Sequence, residues 1–180
     1  MPRIFLSPST QEYNPYVTGG NEELYANLIA DAMEPYLRAS GIDFTRNDPN
    51  GSVSTSIAAS NAGNYDFHLA IHSNAAPANL AGMLQGPDVY YYRDSSRSRA
   101  AAEIFANNLK LIYPNPELVT VVPTTTLAEL RRTAAPAVLV EVAYHDNVDD
   151  ANWITSNIDR IAENLALSTA DYLGVPFVES

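Results

Sequence analysis

Apolar residues along this chain recur with two spacings: short continuous bursts that suit buried strands, and three-to-four-residue recurrences that suit helices. Ile4-Phe5-Leu6 is the first burst and Ser7-Pro8 closes it, which predicts a strand and its exit loop. The loop that follows, Ser9 to Gly20, is rich in Ser, Thr, Asn, Pro and Gly. A helix is predicted to begin near Asn21. Leu24, Leu28, Ala32 and Tyr36 recur every fourth residue there, with Ile29, Met33 and Leu37 beside them, as a buried stripe would require. Gly41 stops it, and Ile42-Asp43-Phe44-Thr45 resembles a second strand. Val53 to Ala62 suits a second helix, Asp66 to His72 a buried strand, and Val89-Tyr90-Tyr91-Tyr92 an aromatic strand. Ser98 to Tyr113 is helical in composition, and Ala137 to Val142 is the clearest strand. One last helix is expected from about Asp149 to Leu173, with Trp153, Ile154, Ile158, Ile161, Leu165 and Tyr172 on or near one face.

Strands alternating with helices indicate an α/β fold, a sandwich with a mainly parallel central sheet flanked by helices on both faces. No internal repeat or linker divides residues 1–180, so a single domain is expected. In such sheets ligands bind beyond the carboxyl ends of the strands. Four polar groups fall at those ends or on the loop and helix that follow: the Ser7–Asn14 loop, Glu22, His72-Ser73-Asn74, and Glu141 with His145.

Composition narrows the partners. The formal net charge of -11 would repel phosphate backbones and anionic lipid surfaces, which argues against nucleic acid and membrane docking. With no cysteine, any metal must be held by His, Asp, Glu or neutral oxygen and nitrogen groups. No apolar run is long enough to span a membrane. The first residues run almost directly into an apolar strand, so no signal peptide is expected.

His72 ends an apolar strand, where its imidazole can point into a crevice and suits zinc; the plainer reading is a histidine bonded to loop backbone. His68 lies on the same face of that strand, but four extended residues span about 13 Å. Zinc–nitrogen bonds are only about 2 Å, so one ion cannot take both, and His68 is read as a buried, hydrogen-bonded structural residue. Glu22 and Glu23 both fall in the first turn of a helix, where carboxylates are favoured anyway. Glu141 sits inside Ala137-Val138-Leu139-Val140-Glu141-Val142, where simple burial would be costly. It should face a polar cavity, a metal or a cation, with Arg131 or Arg132 as the ordinary partner. A carboxylate beside a metal-activated water could serve as base and then as acid. His145, in Tyr144-His145-Asp146-Asn147, is left open between metal, substrate and helix capping.

Taken in order, these segments resemble the zinc amidases that cleave between N-acetylmuramic acid and L-alanine in peptidoglycan. The resemblance covers nearly the whole chain, from Ile4 to Leu173. Ala70-Ile71-His72-Ser73-Asn74-Ala75 is similar to the motif that carries one metal ligand of the family, and Pro136 to Glu141 to the run that ends in its catalytic glutamate. A further ligand in the family is a glutamate eight residues before the alanine of an Ile-Ala pair; Glu22 and Ala30 have that spacing, which selects Glu22 over Glu23. Gly82 and the segment at Asn147 also fit. The resemblance implies zinc at Glu22 and His72, Glu141 as the catalytic group, and Asn74 as a substrate-binding residue. It also implies an extracellular or cell-wall location.

One segment departs from the family. Its remaining ligand is a histidine in an Asp-Pro-Gly-His-Gly-Gly loop, whereas this loop reads Ser7-Pro8-Ser9-Thr10-Gln11-Glu12-Tyr13-Asn14. Thr10 falls at the ligand position. A related subgroup has Ser-Pro-Ser-Thr-Gln followed two residues later by histidine, where this chain has Tyr13. Gln11 through an amide oxygen, Tyr13 through a phenolate and His145 through its imidazole are the candidates, and Gln11 is taken as the third ligand. The expected function is therefore hydrolysis of the muramoyl–L-alanine amide by metal-activated water. The alternative is a non-catalytic peptidoglycan- or muropeptide-binding module that has lost its zinc.

Overall fold

Two buried strands, β3 (Phe67–Asn74) and β6 (Ala137–Tyr144), pair in parallel at the centre of the sheet and decide where everything else goes. The computed structural model describes residues 1–180. Successive side chains on a strand point to opposite faces. On one face Phe67, Leu69 and Ile71 of β3 and Val138, Val140 and Val142 of β6 enter the main hydrophobic core. On the other lie His68, Ala70 and His72 of β3, and Ala137, Leu139 and Glu141 of β6.

Outside them stand β1 (Arg3–Pro8), β2 (Asp43–Arg46), β4 (Asp88–Tyr92) and β5 (Thr120–Thr124), giving the order β2-β1-β3-β6-β4-β5. All neighbours are parallel except β4 and β6, which run antiparallel. The thick side of the sheet is covered by α1 (Glu22–Ala39), α3 (Ser96–Leu109) and α6 (Ile158–Leu173), with α5 (Val148–Ser156) against β6. The thin side carries α2 (Val53–Ala62) and the one-turn α4 (Ala128–Arg131), with a small cluster of Ala70, Leu130, Ala137 and Leu139 beneath them. This is the single-domain α/β sandwich that the sequence predicts.

Several elements differ in detail. The buried stripe of α1 is Ala26, Ile29, Ala30, Met33, Tyr36 and Leu37, whereas Leu24 and Leu28 are 42% and 39% exposed. A strict four-residue repeat drifts about 40° per step around a helix of 3.6 residues per turn, so the series leaves the core before it reaches Leu24. The single last helix breaks at Asn157, whose side-chain amide donates to the Trp153 carbonyl (2.8 Å). Such a bond lets the backbone leave the helix. β5 and α4 were not predicted. β5 is an edge strand containing Pro123, a residue tolerated there because an edge needs fewer ladder donors. α4 is too short to show a period.

The turn that leaves β6 is fixed by Asp150. Its buried carboxylate accepts from the backbone N–H of Tyr144 (3.0 Å) and Gly86 (2.9 Å) and from the Tyr113 hydroxyl. Bonds to a charged group contribute about 1.5–3 kcal/mol each, and their loss leaves buried donors unpaired. Asp150→Ala is expected to lower the unfolding free energy by about 2–4 kcal/mol in a urea titration; an unchanged midpoint would show that the turn holds without it.

Candidate functional site

Three strand ends and one helix start converge on the thin side of the sheet. β3 delivers His72 and then bulges between His72 and Asn74. β6 delivers Glu141 directly beside it, because His72 and Glu141 are register partners on adjacent strands. α1 begins at Glu22. Asn21 caps it by accepting from the Leu24 N–H (2.8 Å), and the Glu22 N–H donates to the Asn14 carbonyl (2.9 Å), which ties the first loop to the helix. Gly20 permits this entry: its φ is +77°, and a Cβ there would meet the Tyr25 ring at 2.7 Å.

Glu22 is buried and its Oε2 lies 2.8 Å from His72 Nδ1. Its Oε1 accepts from Asn14 Nδ2 (3.0 Å), and the same Nδ2 donates to Gln11 Oε1 (2.7 Å). Glu22, His72 and Gln11 are thus brought into one connected group. Glu23 turns to Asn27 on its own helix instead. Tyr13 is 74% exposed and lines no part of the cavity, which removes it as a donor to the site. His145 does line the cavity, but as a wall. Its Nδ1 pairs with Ser73 Oγ (2.9 Å), its ring stacks on Tyr16 with centroids 5.3 Å apart, and its backbone N–H donates to the Asn74 carbonyl (2.8 Å). Asn74 donates from Nδ2 to Asp88 Oδ2 (3.3 Å) and also borders the cavity. His68 is fully buried, with Nδ1 on Ser60 Oγ (2.9 Å), and is structural as expected.

Glu129, on α4, did not stand out in the sequence. It is buried, accepting from Ser7 Oγ (2.6 Å) and pairing with His68 Nε2 (3.0 Å) through Oε1, while Oε2 lies 3.7 Å from His72 Nε2. The only available signal was a carboxylate set between apolar neighbours in Leu127-Ala128-Glu129-Leu130.

Around one imidazole, then, stand three carboxylates: Glu22, Glu129 and Glu141. Burial by itself would lower the pKa of His72, but its contacts with Glu129 and Glu22 and the field of Glu141 outweigh that and raise it to about 10. Burial would raise Glu22 and Glu129, and the histidine contacts hold both below the usual carboxylate range. Glu141 behaves differently. Its Oε2 is shut off from solvent and has no hydrogen-bond partner, and burial, reinforced by Glu22 and Asp88, raises it to about 7 against the pull of His72. Arg131 and Arg132 are exposed, so neither is its partner. The residues enclose a cavity of about 500 Å³, with Leu127 and Leu139 as apolar wall, large enough for a small-molecule or sugar–peptide segment.

No three His, Asp or Glu side chains stand close enough to share one ion. The chemistry of the donors nonetheless suits a divalent cation: one carboxylate and one imidazole already in contact, an amide oxygen linked to them through Asn14, and Glu141 lining the same cavity.

The titration of Glu141 has a definite sign. Its folded value of about 7 lies above the roughly 4.3 of a free glutamate, so the folded chain holds this proton more tightly. That stabilisation is complete below the unfolded value and is lost as pH rises through 7. In chain freed of divalent ions, Glu141→Gln is expected to be more stable than wild type at pH 9 by on the order of 3 kcal/mol, with the difference shrinking toward pH 4. Parallel pH profiles of urea unfolding would contradict this.

Comparison with known proteins agrees with the geometry. A family model described as N-acetylmuramoyl-L-alanine amidase matches residues 9–170. Among solved structures, the amidase AmiC2 of Nostoc punctiforme superposes with a TM-score of 0.83 at 18% identity, over 96% of this chain and 97% of that one. The catalytic domain of CwlV, from Bacillus (Paenibacillus) polymyxa, gives 0.82 at 17% identity over 98% and 100%. An N-acetylmuramoyl-L-alanine amidase from Clostridium difficile 630 gives 0.82 at 17% over 96% and 97%. Among curated proteins no sequence relative matches. With nine-tenths of its length matched by the family model, the chain belongs to the N-acetylmuramoyl-L-alanine amidase family.

Proposed function

We propose that this chain is a zinc-dependent amidase that hydrolyses the bond between N-acetylmuramic acid and L-alanine in peptidoglycan, with Glu22, His72 and Gln11 holding the ion and Glu141 moving the proton. The observation that carries this reading is Glu141: a half-buried carboxylate that lines the cavity beside His72 in the strand register, with one oxygen left unpartnered. Zinc held by those donors would polarise the amide carbonyl and lower the pKa of a water bound to it. Glu141 is the group placed to take a proton from the attacking water and return it to the leaving nitrogen of L-alanine. One carboxylate can serve as base in the first step and as acid in the second. Gln11, next to the position of the family's histidine, offers a neutral oxygen in its place, which makes this a weaker site. Asn74 stands at the cavity wall, where its amide can meet the glycan or the peptide. The substrate places the working protein outside the cell or at the wall, and no helix is long and apolar enough to cross a membrane. The non-catalytic binding module is disfavoured, because binding alone gives no reason to bury an unpaired carboxylate at a cost.

The test is digestion of purified peptidoglycan, following newly exposed L-alanine amino groups, with zinc content measured on the same preparations. Wild type is expected to cleave, to stop when a chelator removes the metal, and to recover with zinc. Glu141→Gln should lose about 100- to 10,000-fold in kcat while keeping its zinc. Gln11→Ala should weaken zinc binding by at least about tenfold, the loss usual even for residues one shell out from a metal. A wild type that neither holds zinc nor cleaves after zinc is added would overturn the proposal.

A further inference from the structure

An imidazole that gives one nitrogen to a metal carries its proton on the other, and a fixed acceptor for that proton sets both the tautomer and the direction of the ring. His72 has its Nδ1 2.8 Å from Glu22 Oε2, while its other ring nitrogen, Nε2, lies 3.7 Å from Glu129 Oε2. Nothing in the amidase reading above uses Glu129. Yet few side chains in the molecule are held so firmly from so many elements. Ser7 on β1 donates to its Oε1, His68 on β3 pairs with the same oxygen, and His68 is itself set by Ser60 on α2 and by stacking on Phe5 (centroids 5.3 Å apart).

We propose that Glu129 is a positioning residue: pinned through one oxygen by Ser7 and His68, it faces the Nε2–H of His72 with the other at 3.7 Å and through that contact aims Nδ1 at the ion. The inference rests on His72 being a zinc ligand. It explains why a fully buried histidine lies four residues before His72 on the same strand face. His68 cannot reach the ion, but it fixes the carboxylate that fixes the ligand. The division of labour also makes the two carboxylate oxygens non-interchangeable with an amide. Glutamine at 129 offers one acceptor for two histidines, so one imidazole N–H must face an NH2 group.

Two measurements test this together. Nitrogen NMR of the ring of His72, in wild type with and without zinc, is expected to show a protonated Nε2; a pyridine-like Nε2 would overturn the proposal without any variant being made. Zinc affinity is then compared across variants. Glu129→Gln is expected to lose about 10- to 100-fold, the usual effect of removing a ligand's outer partner. Asp150→Ala, destabilised at a turn away from His72, is expected to keep the wild-type affinity. An affinity in Glu129→Gln no lower than that of Asp150→Ala would reduce Glu129 to a structural residue and overturn the assignment. If Glu129→Gln does not fold, the wild-type ring signal decides. A wild type that takes up no zinc fails the ligand reading itself, whereas a wild type that binds zinc no better than Glu129→Gln fails the positioning role alone.

Discussion

The site depends on the pairing register of β3 with β6. Because side chains alternate strictly between faces, a slip of one residue would turn a strand's whole set over. It would drive His72 or Glu141 into the apolar core and lift Ile71 or Val140 out of it. The core therefore holds the chemistry in place: Phe67, Leu69 and Ile71 on one strand and Val138, Val140 and Val142 on the other are all buried against α1, α3 and α6. The thin side could not be apolar in the same way and still face a ligand. Its polar groups are instead satisfied by one another, through Ser7, Ser60, His68 and Glu129, with Glu141 Oε2 as the oxygen left over.

That leftover oxygen gives the site its character. Three carboxylates crowd one imidazole in a place poorly reached by water, and the cluster answers in two ways: His72 is held charged, and Glu141 retains a proton near neutral pH. A cation entering among Glu22, His72 and Gln11 would relieve the same repulsion. The same crowding that raises Glu141 in the ion-free chain thus favours a cation among these donors. The acidic balance of the whole chain acts in the same direction.

Much of this arrangement was legible from residue order. The parity of His68 and His72, the impossibility of their sharing an ion, and the oddity of Glu141 within an apolar strand all follow from strand geometry and the cost of burying charge. Glu22 could be told from Glu23 only by family spacing, since both suit a helix start; the structure shows the difference as contact with His72. What could not be read were contacts made by short or irregular elements. Glu129 lies on a four-residue helix with no period to announce it, and its partners Ser7 and His68 are distant in sequence. Tyr16, which walls the site by stacking on His145, sits in a loop where no pattern marks a buried ring. The stripe on α1 was displaced because a four-residue repeat imitates a helical face only over a short span.

The proposed chemistry requires an ion between Glu22 and His72. Its most direct test is anomalous X-ray diffraction at the zinc edge, from crystals grown with zinc. A single strong peak touching Glu22 Oε2 and His72 Nδ1 is expected, with Gln11 Oε1 completing the protein donors and Glu141 adjacent. Crystals with no peak there, or with zinc only at exposed surface carboxylates, would contradict it.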